Sequence, residues 1–361
     1  MGENNIKGVI LHGGHGTRLR PLTHTGPKQL IPVANKPMSQ YVLEDLRDSG
    51  IEEIAIIVGD ILPEKVKNYY RDGREFGIKT TYIHQEQPGG IAQAVNLAEN
   101  FVGDSPFIVY LGDNLLKGSI AKFVKEFRKS NYAAMVLLCE VENPQKFGVA
   151  EFGKNGKLVK LIEKPKKPPS SYALTGIYFL KPIIFKMIRA LKPSWRGELE
   201  ITEALQGLID AGHKVGYKFV TGWWKDTGTV EDILEANRLV LDDLKEGIEG
   251  IVEEKPSIQG RVAIGKETLV ERGALIRGPV IIGKHTTIGK QVYIGPYTSI
   301  GNNVKIERGE IENSIIMDDC HVEIDGKITG SLVGTGTTLT TNQKSPKGYR
   351  LVVGENSRIT L

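Results

Sequence analysis

Gly8-Val9-Ile10-Leu11-His12-Gly13-Gly14-His15-Gly16-Thr17-Arg18-Leu19-Arg20-Pro21, followed closely by Pro27-Lys28-Gln29-Leu30, decides how the first part of this chain reads. The apolar run Gly8 to Leu11 predicts a buried strand. Gly13, Gly14 and Gly16 then let the backbone turn tightly and approach a ligand with no Cβ in the way. Backbone N–H groups in such a turn converge on one concavity and attract anions. Arg18 offers a bidentate guanidinium and Lys28 a point charge, both suited to phosphate. The stretch is therefore a candidate polyphosphate cradle at the carboxyl end of a first strand. It is not a P-loop, because no Lys-Ser/Thr follows the glycines, and Leu19 stands where a dinucleotide fingerprint needs its third glycine. By itself the turn is equally compatible with an ordinary strand-to-helix connection.

The wider chain bounds the possibilities. Its 361 residues allow two or three domains, and 47 Lys+Arg against 43 Asp+Glu give a net charge of +4. No long basic run argues for nucleic acid or a membrane surface. Cys139 and Cys320 have no metal-type spacing and form no disulfide framework, which fits a reducing compartment. The polar start of the chain and the lack of a spanning-length apolar stretch predict a cytoplasmic protein with no membrane contact.

Ile54–Val58, Phe107–Leu111 and Ala133–Leu138 read as further buried strands, with helical stretches near 38–49, 62–71, 90–101 and 118–130 between them. This alternation predicts an open α/β sheet, whose ligands bind at the carboxyl ends of the strands. The glycine loop and Asp113, just after the 107–111 strand, both fall on that edge. A terminal helix is expected over 230–246, and a linker over 247–257 that includes Lys255-Pro256.

Beyond it the period becomes six. Ile258, Ile264, Val270, Ile276, Ile282, Ile288, Ile294, Ile300 and Ile306 follow one another without a gap, with small or β-branched residues two places ahead from Val262 onward. Such a repeat predicts a parallel β-helix with the aliphatic side chains stacked inward. After Ile306 the register breaks and resumes at Ile316, Val322 and Ile328, which reads as four inserted residues. The tail from Thr337 to Leu361 reads as irregular, with a Lys-Ser-Pro-Lys loop, and as a cap for the solenoid. The expected domains are thus 1–246, the 247–257 linker and 258–361.

Eight ordered motifs make the chain recognisable: the glycine loop with Pro27-Lys28-Gln29-Leu30, then Gln85-x-x-Pro88-x-Gly90-Ile91-Ala92, Leu111-Gly112-Asp113-Asn114, Phe147-Gly148-Val149, Glu163-Lys164-Pro165, Thr175-Gly176-Ile177-Tyr178, Arg196-Gly197-Glu198-Leu199-Glu200-Ile201-Thr202 and Trp224-Lys225-Asp226-Thr227-Gly228. Together they resemble the sugar-1-phosphate nucleotidyltransferases, and more closely the long-form glucose-1-phosphate thymidylyltransferases. The resemblance implies a Rossmann-like mixed open α/β sheet followed by a left-handed parallel β-helix of hexapeptide repeats. It implies attack of a glucose-1-phosphate oxygen on the α-phosphorus of dTTP, releasing pyrophosphate. Such chemistry needs positioning and charge neutralisation more than covalent catalysis.

What the resemblance implies for individual residues is specific. Arg18, Lys28 and Lys164 would be catalytic, holding pyrophosphate, the α-phosphate and the sugar phosphate respectively. Leu11, Gly13, Gly14, Gly16, Thr17, Arg18, Gln85 and Gly90 would bind nucleotide, Gln85 reading thymine or uracil. Asn114, Gly148, Glu163, Lys164 and Thr175 would bind the sugar phosphate. Asp113 and Asp226 would hold Mg²⁺, a hard cation suited to carboxylates and phosphate oxygens. The partners implied are dTTP (or UTP), glucose-1-phosphate and further copies of the chain, the β-helix serving as the oligomer contact.

His12 departs from the family pattern, which has Ala there. An imidazole beside the base or triphosphate would add bulk and charge near neutral pH; pointing away, it would leave only backbone to the nucleotide. Three alternatives stay open. One uses UTP or an N-acetylhexosamine-1-phosphate. A second binds nucleotide sugar without turnover. In the third the solenoid adds acyl transfer, for which His285 and His321 stand without an evident partner.

Overall fold

The computed structural model describes residues 5–253 and 258–341. They fall into two compact units. The first contains residues up to 15, 25–30 and 38–226; the second contains 16–24, 31–37 and 227 onward.

The first unit is built on a mixed nine-stranded sheet. Its parallel half runs Lys79–His84, Glu53–Val58, Lys7–His12 and Phe107–Leu111. Tyr172–Leu180 then adds in the antiparallel sense, and pairs onward with Ala134–Glu140 and Gly148–Phe152. The first strand lies in the middle, so both of its faces are covered, which is why it reads as a continuous apolar run. Val9 and Leu11 pack into one core with Ala92, Val95, Leu205 and Leu208. Ile10 packs into the other with Val42, Leu46, Phe123 and Phe127. The helices Met38–Asp48, Pro63–Tyr70 and Ala121–Lys129 arise near their expected places. The 90–101 stretch divides into Ile91–Leu97 and Glu99–Val102.

The second unit starts its main run with the helix Val230–Leu241. A capping box fixes its start: the Thr229 hydroxyl accepts from the Asp232 N–H at 3.2 Å, and the Asp232 carboxylate accepts from the Thr229 N–H at 3.0 Å. The helix is shorter than the expected 230–246. The segment expected as a linker is not one over its first part. Gly247–Ile248 and Ile251–Val252 are strands, paired in parallel with Ala263–Ile264 and Leu269–Val270. Lys255-Pro256 lies outside the described residues.

From there the chain winds as a β-helix, each short strand pairing in parallel with its counterpart one coil later: Val262 with Val280 and then Thr298, Leu269 with Thr287, Ile276 with Ile294. The ladder residues Ile264 to Ile306 are at most 2% exposed. Each such side chain removed from water contributes roughly 2 kcal/mol, so the repeat itself is the core. At one corner Gly265, Gly283 and Gly301 stack so closely that a Cβ on Gly283 would meet the Gly301 carbonyl oxygen at 2.5 Å. The Thr268 and Thr286 hydroxyls donate to the carbonyls of Gly283 and Gly301 at 2.7 and 2.9 Å, satisfying polar groups inside the coil.

The register break after Ile306 is a shortening and not an insertion. Ile311 occupies the ladder, pairing with Ile294 and Ile328, and Ile300 pairs with Ile316. The spacing thus drops to five across Ile306, Ile311 and Ile316, and the long strands Lys305–Glu312 and His321–Thr329 carry the chain through the irregular corner. Within the expected irregular tail, Thr338–Thr340 is a strand paired with His321–Glu323. The Lys-Ser-Pro-Lys loop and everything from residue 342 lie outside the described residues.

Candidate active site

Parallel pairing places the ends of three strands side by side: His12 opposite Val58, and Val58 opposite His84. Gly13 and Gln85 therefore emerge at the same edge. Gln85 is 3% exposed, and its side-chain oxygen lies so close to Gly13 that no Cβ fits there. Its amide donates to Gln93 at 2.5 Å, and Gln29 donates to the Gly13 carbonyl at 3.2 Å. Gly14 has φ +98° and Gly16 φ +56°, values that suit glycine. Gly14, Thr17 and Arg18 are exposed. The Arg18 guanidinium lies over Gly228, about 3.0 Å from where a Cβ on that residue would sit.

The neighbouring strand end carries Asp113. The Gly112 N–H donates to the Leu11 carbonyl at 3.0 Å, locking the two strand ends together. Lys28 pairs with Asp113, both side chains only 13% exposed. Burial alone would raise the Asp113 carboxyl, but the charge and hydrogen bond of Lys28, with a bond from Asn114, outweigh it and hold the group below the usual carboxylate range. Asn114 donates to Asp113 at 2.9 Å and accepts from the Trp224 indole at 2.9 Å. A short antiparallel ribbon pairs Asn114–Leu116 with Trp224–Asp226, and sets Asp226 opposite Asn114. Two aspartates distant in sequence thus meet at one place. Among the described residues no cluster of three or more His, Cys, Asp or Glu is assembled for a metal. Two carboxylates, one held ionised, are a donor set that would suit a hard divalent cation completed by oxygen ligands from elsewhere.

A second group lies on the antiparallel half of the sheet. Glu163 faces Gly148 across the strand pair, and the Thr202 hydroxyl donates to it at 3.2 Å. Arg196 reaches Glu163 at 3.5 Å, Glu200 at 3.3 Å and Glu198 at 2.9 Å. Burial, then the nearby Glu200, raise the Glu163 carboxyl; Lys164, Arg196 and Thr202 oppose the shift. Lys164 has φ +40°, a strained backbone value for a side-chain-bearing residue, and its N–H donates to the Phe147 carbonyl at 3.0 Å. Gly90, at φ +97°, lies against Leu199, whose N–H donates to the Gly89 carbonyl at 2.8 Å.

Three of the residues singled out in the sequence are buried. Thr175 is fully buried and its hydroxyl donates to the Leu137 carbonyl at 3.2 Å. Asn114, 2% exposed, is engaged with Asp113 and Trp224 and orients the aspartate. His12 is 2% exposed and stands edge-on to Tyr70, with neither ring nitrogen bonded; burial pushes its pKa down to about 3, against a smaller opposing pull from Asp113. Its ring packs beside Gly112 and Gln29, so it is neutral at ordinary pH. Arg196 was not among the expected site residues. The alternation of charges at 196, 198 and 200 was the available signal.

Residues 7–243 match the model of the nucleotidyl transferase family. The chain belongs to that family. Residues 276–360 match a second model, the GMPPB C-terminal domain. Among similar proteins, the low-salt glycan biosynthesis nucleotidyltransferase Agl11 of Haloferax volcanii is 49% identical over 99% of this chain and 100% of its own length. A glucose-1-phosphate thymidylyltransferase of Streptomyces antibioticus is 44% identical over 99% of each. A solved structure of a putative glucose-1-phosphate thymidylyltransferase from Bacillus anthracis, in complex with a sucrose, is 42% identical with a TM-score of 0.63, covering 67% of this chain and 97% of that one. This nucleotidyltransferase therefore acts on a sugar-1-phosphate. Among the described residues, no helix is long and apolar enough to cross a membrane.

Proposed function

We propose that this nucleotidyltransferase makes dTDP-glucose from dTTP and glucose-1-phosphate, releasing pyrophosphate. The observation that carries the reading is the Lys28–Asp113 pair at the strand ends, with Asp226 across the ribbon and an exposed glycine loop leading to Arg18. The nucleophile is already an anion, so no general base is needed. Charge must instead be neutralised at the α-phosphorus and the leaving pyrophosphate. Lys28 takes the first task; Arg18 and the loop amides take the second. Lys164 holds the phosphate of the sugar, and the Glu163 carboxylate accepts from sugar hydroxyls. Gln85 pairs through its amide with the base edge. Asp113 and Asp226 hold Mg²⁺, which supplies charge neutralisation across the phosphates.

Thymidylyl transfer is favoured by full-length relatives of that name in two Streptomyces species, 43–44% identical. A uridylyl reading rests on Gln85, whose amide suits either base, and on a solved UDP-glucose pyrophosphorylase with UDP-glucose, 27% identical at a TM-score of 0.58. Pyrophosphate release across dTTP and UTP, each with glucose-1-phosphate and N-acetylglucosamine-1-phosphate and Mg²⁺ present, separates the two. The dTTP–glucose-1-phosphate pair should turn over fastest. No turnover with any pair by folded protein would sink the catalytic reading.

A further inference from the structure

We propose that Asn237 is a positioning residue for nucleotidyl transfer: it ties the hairpin that follows Lys28 in the chain to the Val230–Leu241 helix and to one coil of the β-helix. The proposal rests on the catalytic reading of Lys28.

Lys28 is joined by three residues to the ribbon Pro32–Val33/Lys36–Pro37. Its two turn residues, Ala34 and Asn35, have φ +46° and +62°. A two-residue hairpin of this kind needs positive φ at both places, and it is normally made with Asn-Gly or Gly. Alanine is poorly suited there, because its Cβ crowds the following carbonyl oxygen in the left-handed region. Something outside the turn therefore has to hold it.

That support is Asn237, on the Val230–Leu241 helix. It is fully buried, and so is Ser299. The Asn237 side-chain oxygen accepts from the Ala34 N–H at 2.8 Å and from the Ser299 hydroxyl at 2.7 Å. Its amide donates to the Tyr297 carbonyl at 3.0 Å. Asn35 adds a bond of its own, its amide donating to the Ile300 carbonyl at 2.6 Å. Hairpin, helix and one coil of the solenoid thus converge on one buried amide whose oxygen serves two donors. A leucine would fill such a place if packing alone mattered; a directional side chain fixes orientation.

The same helix is bound to the solenoid at two further points. Arg238 donates to Asn313 at 2.7 Å, and the Tyr297 hydroxyl donates to Asp242 at 3.2 Å. The other segment grouped with the solenoid, residues 16–24, carries Arg18. There the Thr23 hydroxyl donates to the Gly16 carbonyl at 2.9 Å, and Leu22 lies against Gly334 of the solenoid. Both stretches that flank Lys28 in the sequence, 16–24 and 31–37, thus belong to the second unit and are hydrogen-bonded or packed within it. A shift of about 1 Å in a positioned group is enough to lower turnover by orders of magnitude.

The test compares full-length wild type with Asn237→Ala and Asn35→Gly. Glycine keeps the positive φ at position 35 while removing the bond to Ile300, so this variant folds even if Asn237→Ala does not. Two readouts are taken: kcat and KM for both substrates, and hydrogen–deuterium exchange of residues 27–37. Asn237→Ala should lower kcat by about tenfold or more with KM changed less than about threefold, and Asn35→Gly should show a smaller fall of the same kind. Exchange at 31–37 should quicken in both, with that of the 107–111 strand unchanged. Unaltered exchange at 31–37, or kcat kept at the wild-type value in a variant with quickened exchange, would overturn the proposal. Failure of wild type to turn over any substrate pair, with exchange at 31–37 still quickened in the variants, would instead remove the catalytic reading and leave the clamp.

Discussion

Asp226 stands directly opposite Asn114 in a short antiparallel ribbon, and Asn114 donates to Asp113 at 2.9 Å. Chain folding thus brings Asp226 opposite the neighbour of Asp113, far earlier in the chain. We expect Asp226→Asn to keep fold and melting temperature, because the residue is only half-buried on a short ribbon. Turnover should fall by about a hundredfold or more, and the Mg²⁺ concentration for half-maximal rate should rise. Pyrophosphate release over a Mg²⁺ titration checks both. Wild-type rates at low Mg²⁺ would exclude Asp226 as a ligand.

Gly148 makes room for Glu163. A Cβ there would lie 2.6 Å from the Thr202 methyl and 3.2 Å from the Glu163 carboxylate. Gly148→Ala must push Thr202 and Glu163 apart, at a cost of about 1–3 kcal/mol. The KM for the sugar phosphate should rise about tenfold, with that for the nucleotide nearly unchanged. Equal changes in both would place the effect elsewhere.

Glu163 has a raised carboxyl, chiefly from burial and then from Glu200. The folded state therefore holds this proton more tightly than the unfolded chain. Its contribution to stability is largest below the unfolded value, and falls as pH rises through the folded one. Binding runs the other way, because the ionised form is the stronger acceptor for sugar hydroxyls. Affinity for the sugar phosphate should weaken as pH drops through a value above the ordinary carboxylate range. Calorimetric titration of wild type and Glu163→Gln checks this; the variant should bind weakly and lack that break.

The sheet was legible because its central strands are covered on both faces and so carry unbroken apolar runs, as in Gly8–Leu11 and Phe107–Leu111. The β-helix was legible for the same reason of repetition, from Ile258 to Ile306. It became opaque where single residues drop out of two faces, since a spacing of five hides Ile311 from a count of six. Ile248 and Ile251 escaped because they are exposed and stand outside the inward ladder. Lys28 and Asp113 were each marked by motif order, but their pairing was not. Asn237 was not marked, because its partners lie on separate segments and a hydrogen bond across such distance leaves no local pattern; Arg196 had only the charge alternation with Glu198 and Glu200 to mark it.

Asp45 offers a test of stability away from the site. One oxygen accepts from the Ile120 N–H at 3.0 Å at the start of the Ala121–Lys129 helix, while the other is buried with no partner. Burial raises its pKa from 3.8 to about 6, opposed by the bonds from Ile120 and Ser119. Stability should thus decline as pH rises from about 4 to about 6. Asp45→Asn keeps the bond to Ile120 and removes the charge. It should flatten that slope and gain about 1–2 kcal/mol at pH 7, discounted for the amide left unpaired. Urea unfolding at pH 4 and pH 7 checks it; an equal slope in the variant would assign the effect to another group.

His12 stands in the opening motif but not in the chemistry. Both ring nitrogens are buried without hydrogen-bond partners, and the pKa is pushed down to about 3. The unfolded chain takes up this proton near pH 6.5 while the folded one resists it, so the group withdraws stability as pH falls from 6.5 toward 3. Replacing unpaired buried nitrogens by carbon of similar shape is neutral or stabilising. His12→Phe should therefore keep or raise the melting temperature and reduce its decline in acid. Because the ring packs against Tyr70 and beside Gln29, the ratio of kcat/KM for dTTP and UTP should stay within about twofold of wild type. A larger change in that ratio, with the fold intact, would show that His12 reaches the base and helps to choose the nucleotide.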